Sequence, residues 1–293
     1  MYVGSFISSI GQEIKVRATN GVFMRYAFTD KDNQYLVKRY MNVFINYIRK
    51  NNPISSLEIL GDNIEITAEY DYFKSTKGAT PKQDFQIKEN NKLLYLEIQS
   101  TIDTKNPLFG RAIVYFALSF VEAVGETYEK KNQLWLCMRC EDNIVSDEVA
   151  FEEYLFRGAM EGKVYPNTSS ITIIDLQKLS RLTVDDPAIR LAQYLVNLTY
   201  VEDSDVVDII TGLQKSFDKL KSNKQKLIHL ENFNLAKEEG LSEGRADGIS
   251  QGISQGIAQS IISTYKVLQS IDLLLQIYPS KTRSEIESII KGE

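Results

Sequence analysis

Asp84-Phe85-Gln86-Ile87-Lys88-Glu89-Asn90-Asn91-Lys92-Leu93-Leu94-Tyr95-Leu96-Glu97-Ile98-Gln99 reads as a β-hairpin. Asn90-Asn91 supplies a two-residue loop, because Asn tolerates the positive φ that a type I′ turn requires. With that loop the register pairs Phe85 with Leu96 and Ile87 with Leu94, and Ile98 continues the row by the period of two. This face is wholly apolar and is expected in the core.

The opposite face carries charge. The same register sets Asp84 directly across from Glu97, with Gln99 on the same side. Facing carboxylates repel and weaken a hairpin, so something is expected between them. A hard divalent cation such as Mg2+ fits, since it takes oxygen ligands and is often held by one or two carboxylates plus a substrate phosphate. Neutralisation by Lys82, Lys105 or Arg111 is the structural alternative.

Outward from the hairpin, helical and strand-like patterns alternate. Apolar positions recur at helical spacing from Asn33 to Lys50, and Asn51-Asn52-Pro53 stops that run. Short β-like runs follow at Leu57–Leu60 and Ile64–Tyr70, then a polar loop from Ser75 to Pro81. Beyond the hairpin the pattern predicts a helix near Leu108–Val124, a strand at Gln133–Cys140, a helix around Ser146–Arg157 and a strand at Ser170–Leu176. Such alternation argues for one mixed α/β domain with a central sheet over residues 1–185. Only helical patterns follow, an extension over 186–235 and a tail over 236–293. In the tail Gly240, Gly244, Gly248, Gly252 and Gly256 recur every four residues. Each glycine costs a helix about 1 kcal/mol relative to alanine. The repeat is therefore either a close-packing helix that self-associates, making the chain a homo-oligomer, or a partly helical linker. A helical pair, Ile262–Tyr278 and Thr282–Ile290, ends the chain.

Composition excludes several classes. Of the 293 residues 43% are hydrophobic, enough for a sizeable core, and the net charge of −5 excludes a polycation that coats nucleic acid along its whole surface. The single histidine, His229, excludes a multi-histidine zinc site. Cys137 and Cys140 form the only C-x-x-C, inside an apolar run where residues three apart on a strand point to opposite faces, which favours core packing over a redox or metal role. So few cysteines suit a reducing compartment, and Met1–Phe6 lacks a basic segment leading into an apolar one. A cytoplasmic protein with no membrane partner is expected. Two basic clusters, Lys215/Lys219/Lys221/Lys224/Lys226 and Lys38/Arg39/Arg49/Lys50, are either phosphate contacts or ordinary solvated faces.

The spacing Asp84…Glu97-Ile98-Gln99 resembles the core motif of the PD-(D/E)XK nuclease superfamily, in its Rpn-type, transposase-associated branch, where Gln stands in place of Lys. Flanking features agree in order. Gly21–Phe28 resembles the family's first motif region, and Asn42 the Asn of its next helix. Arg111 and Tyr115 match its R-x-x-x-Y helix, Gly125 and Tyr128 its G-x-x-Y turn, and Ile171–Lys178 its later strand.

The resemblance implies a restriction-endonuclease-like α/β/α core with a central mixed sheet, followed by a helical C-terminal extension. It implies a DNA endonuclease of the recombination-promoting type, with Mg2+, or Mn2+ in its place, held by Asp84 and Glu97. Gln99 would hold the attacking water. Arg111 would bind phosphate or pair with Glu97, and Tyr115 would line the site or pack in the core. The chain departs from the pattern at Thr19-Asn20-Gly21, where the family's first region commonly begins with an acid; Glu13 is the nearest upstream acid, and Glu69 and Asp71 are further candidate ligands. That departure keeps a second reading open, a DNA-binding or assembly protein on the same fold with a decayed site.

Overall fold

The computed structural model describes residues 2–71, 82–90, 92–99, 107–121, 130–141, 144–155, 169–197, 204–232 and 234, and in the tail 258, 260–263, 265–266, 269–278 and 281–291. Two compact units divide between Glu231 and Asn232.

The first unit opens with an antiparallel pair, β1 (Gly4–Ile7) and β2 (Glu13–Val16), followed by α1 (Gly21–Thr29) and α2 (Gln34–Asn51). Leu36, Val37, Tyr40, Met41, Phe44, Ile45, Tyr47 and Ile48 all face inward from α2, as their helical spacing predicts. The central sheet follows, with β3 (Glu65–Asp71), β4 (Lys82–Glu89), β5 (Lys92–Gln99), β6 (Lys130–Cys137), β7 (Phe151–Leu155) and β8 (Ser170–Asp175) in the order β3-β4-β5-β6-β8-β7. It is mixed: β3, β4 and β5 run antiparallel, β5, β6 and β8 parallel, and β7 closes the far edge antiparallel. Helix α3 (Leu108–Val121) precedes β6; α4 (Leu176–Leu179), α5 (Pro187–Asn197), α6 (Ser204–Lys221) and a helix over 224–232, α7, come after β8.

Strand alternation sorts the side chains onto two faces. Phe85, Ile87, Leu94, Leu96, Ile98, Leu134, Leu136 and Ile174 join α1, α2, α5 and α6 in the main core. Trp135, Cys137, Ile171 and Ile173 point the other way and pack with α3, and Leu93 and Tyr95 meet Tyr115 and Leu118 of that helix. Helices therefore cover both faces of the sheet.

The hairpin at β4–β5 forms in the expected register, Phe85 opposite Leu96 and Ile87 opposite Leu94. Asn90 adopts φ 53° at the turn, the left-handed conformation that Asn accepts at little cost. The five apolar side chains on its core face contribute roughly 10 kcal/mol at about 2 kcal/mol each. That outweighs the repulsion on the other face.

Four expectations need correction. The helix expected around Ser146–Arg157 is instead strand β7, paired with β8. Glu153 on that strand accepts hydrogen bonds from Asn52 Nδ2 and from Ser56 N–H and Oγ, partners about 100 residues away that a local pattern does not reveal. Leu57–Leu60 is not a strand, because α2 side chains satisfy its backbone: Asn42 donates to Leu60 O and accepts from Leu60 N–H, and Arg49 donates to Leu57 O. The strand expected to reach Cys140 stops at Cys137, so the two cysteines do not face opposite ways; both enter the cluster beneath α3. The tail helix expected over Ile262–Tyr278 is interrupted, with Gln269 at φ 48° and Ser270 capping a new helix, α8 (Ile271–Ile277), through Leu273 N–H.

The second unit contains α8 and α9 (Arg283–Lys291), joined by an apolar cluster of Ile261, Leu274 and Ile286. The Gly-every-four repeat, Ser75–Pro81, Lys105, Gly125 and Tyr128 lie outside the described residues. No described helix is long and apolar enough to cross a membrane.

Candidate active site

The candidate site lies where β4 and β5 separate, on the α3 face of the sheet. The last ladder pair of the hairpin is Phe85–Leu96. One position further, side chains replace backbone carbonyls as acceptors. Asp84 N–H donates to Glu97 Oε2 at 3.0 Å, and Ile98 N–H donates to Asp84 Oδ2 at 2.9 Å. Alternation along β5 puts Glu97 on the same side as Tyr95, and Glu97 is buried to 7% exposure.

Among the described residues, two arginines stand beside the pair. Arg111, on α3, donates from Nη2 to Gln99 Oε1 at 2.9 Å and lies 3.6 Å from Glu97 Oε1. Its guanidinium rests over the Trp135 ring, 5.5 Å from the centroid, a cation–π arrangement that fixes the fork in place. Of the three cations considered as neutralising partners, Arg111 is the one whose side chain is described, and it stands beside Glu97. Arg25, on α1, stands 4.0 Å from Asp84 Oδ1 and was not foreseen as a site residue. The signal for it lay within Gly21–Phe28, where Arg25 is the only charged side chain in an otherwise mostly apolar helix. Asn20, in the position where an acid was awaited, caps that helix by accepting from Phe23 N–H at 3.0 Å.

Burial pushes the Glu97 carboxyl up to about 8, and the facing Asp84 charge adds to the rise; the Asp84 N–H, Arg111 and Arg25 act against it. Tyr115 is half-buried with its ring 5.7 Å from that of Trp135, and burial followed by the Glu97 charge raises its hydroxyl. The donor chemistry suits a small divalent cation. Two adjacent carboxylates and the Gln99 amide are hard oxygen donors, and a positive ion there relieves the repulsion that raises Glu97. Among the described residues no group of three or more His, Cys, Asp and Glu side chains is arranged so that it could hold a metal ion.

Three further candidate ligands lie on other strands. Glu13 sits on β2 with its carboxylate 3.8 Å from Lys15. Glu69 and Asp71 are on β3, where the register brings Asp71 opposite Lys82; their side chains lie outside the described residues. Cys137 and Cys140 are free thiols in mutual hydrogen-bond contact, and that bond, burial and the Asp175 and Glu97 charges hold the Cys137 thiol well above its usual range. A thiol so held is a weak nucleophile. Asp175 binds the N–H groups of Cys140 and Lys178, both at 2.8 Å, so the acidic start of Asp175-Leu176-Gln177-Lys178 is a helix cap.

The second basic cluster is occupied: Lys38 binds Asp62, Arg39 binds Asp208 at 2.6 Å, and Lys50 binds Asp186 at 3.0 Å. Arg39, Lys50 and Asp186 border a cleft of about 260 Å³ lined also by Asn42, Asn46 and Tyr47. Its lining holds a single carboxylate, Asp186, and no carboxylate pair. In the first cluster Lys219 binds Asp30 and Asp32, and Lys226 rests over the Tyr26 ring, while Lys215, Lys221 and Lys224 are exposed. His229 meets the Tyr26 hydroxyl through Nδ1 at 2.6 Å.

Compared with models of known protein families, with characterised proteins and with solved structures, the chain matches none.

Proposed function

We propose that this protein is a metal-dependent DNA endonuclease of the transposase-associated, recombination-promoting type, using Mg2+ or Mn2+. The observation that carries the reading is the Asp84–Glu97 pair, Glu97 buried and Asp84 partly so, kept side by side at the end of a hairpin although burial and the facing Asp84 charge disfavour the charged form of Glu97. Asp84 and Glu97 would hold the cation. When bound, the ion supplies charge stabilisation at the scissile phosphate and lowers the pKa of an attacking water. Gln99 lies two residues past Glu97, and its amide can orient that water by hydrogen bonding without adding positive charge. Arg111, held by Gln99 and Trp135, presents a planar donor fork suited to a phosphate oxygen. Tyr115 packs against Trp135 and keeps that platform in place. The order of motifs that resembles the PD-(D/E)XK superfamily supports the same reading.

Cleavage of supercoiled plasmid by the purified chain with Mg2+, with Mn2+ and with EDTA tests it, alongside Glu97→Ala. Metal-dependent nicking that disappears in the variant is expected. Equal activity in both proteins would refute the site assignment. A second reading, a DNA-binding protein without catalysis, is favoured by one observation: Arg25 and Arg111 already counter both carboxylates. Metal-independent DNA binding with no cutting would select it.

A further inference from the structure

One helix, α1, touches both the carboxylate site and the larger basic cluster. Its Arg25 stands 4.0 Å from Asp84 Oδ1. The next residue, Tyr26, has Lys226 over its ring, 5.1 Å from the centroid, and meets His229 Nδ1 through its hydroxyl at 2.6 Å. One turn on, Asp30 ends the helix and binds Lys219 at 2.6 Å. Phe23 packs edge-on against Phe217 of α6, with ring centroids 6.1 Å apart. The end of α6 and the start of α7 are therefore docked along α1, next to the residue that faces the carboxylate pair.

Charge on this junction is lopsided. Between residues 215 and 229 five lysines stand against one acid, Asp218. Lys219 is taken up by Asp30 and Asp32. Lys215, Lys221 and Lys224 are exposed and, among the described residues, enter no ion pair. The other basic cluster differs, since Lys38, Arg39 and Lys50 each hold a carboxylate. A lysine without an acidic partner can neutralise a phosphate and release its counterions with no ion pair to break first.

Resting on the nuclease reading above, we propose that the α6–α7 junction is the surface that binds the DNA duplex beside the cleaved bond, with Lys221 and Lys224 on its phosphates. Lys226 and Tyr26 join that surface to the carboxylate site through α1. Charge complementarity selects the partner, and contiguity with the site selects the junction over the other cluster.

The test follows binding of a short fluorescein-labelled duplex to the whole chain by anisotropy, with Ca2+ present, between 50 and 200 mM salt. Wild type is compared with Lys221→Gln/Lys224→Gln and with Lys38→Gln/Lys50→Gln, which removes the same two charges elsewhere. Gln keeps the helix propensity of Lys, and both junction side chains are exposed, so folding is preserved. Losing two phosphate contacts should make the plot of log affinity against log salt about 1.8 shallower and weaken binding at least about tenfold at 0.1 M. The other double variant should keep the wild-type slope. Equal changes in both double variants would overturn the proposal, because net charge alone would then explain binding. So would an unchanged slope in the junction variant, or a wild type that binds no duplex. Plasmid nicking in Mg2+ by the same wild-type protein then separates the two failures: nicking retained leaves the nuclease reading standing, and nicking absent removes both.

Discussion

Replacing Glu97 with Gln in the ion-free protein should abolish a pH dependence that the structure assigns to this one position. The folded-state carboxyl titrates near 8 against an ordinary value of 4.5. Below 4.5 the group is protonated whether the chain is folded or not, so it carries no penalty. As pH rises from 4.5 towards 8 the unfolded chain loses this proton while the folded chain keeps it, so stability falls across that window and levels off above it. At 1.36 kcal/mol for each tenfold step, the full loss is about 5 kcal/mol. For a unit of this size that corresponds to roughly 10 °C in melting temperature. Thermal unfolding in EDTA between pH 5 and 9 measures it. Wild type should fall relative to Glu97→Gln as pH rises, because Gln keeps the shape and the acceptor for Asp84 N–H without the charge. Adding Mg2+ should restore the wild type at alkaline pH and leave the variant unchanged, since a ligand stabilises only the state that binds it. Parallel curves for the two proteins would refute the reasoning.

Two further substitutions probe the frame around the site. Asn42→Ala removes both hydrogen bonds that hold Leu60, at 2.8 and 2.9 Å, and should cost about 1–3 kcal/mol in denaturant unfolding with an unchanged m-value. Asp175→Ala removes the cap of α4 and the acceptor for Cys140 N–H together. It should cost about 2 kcal/mol and speed alkylation of Cys140 in the native protein, measured by mass spectrometry.

Short-range physics made the hairpin legible before the structure. Its turn, its register and its two faces all follow from Asn90-Asn91 and a period of two, and so does the approach of Asp84 to Glu97. Helix α2 was legible for the same reason, since eight apolar residues at helical spacing suffice to define its buried side. Where the next contact was distant in sequence, local pattern misled. Phe151–Leu155 contains two glutamates and reads as helix until β8 offers it an edge and Asn52 and Ser56 bind Glu153. Cys140 reads as strand until Asp175 takes its N–H and turns the chain.

The sequence by itself determined a mixed α/β chain with a facing carboxylate pair, because strand alternation and turn chemistry act within a few residues. Tertiary structure alone decided what surrounds that pair. Arg25 arrives on α1 from 59 residues before Asp84, and Trp135 on β6 supports Arg111 from 24 residues after it. No local spacing encodes such meetings; they depend on which helices cover the sheet, and that is settled by the packing of the whole core.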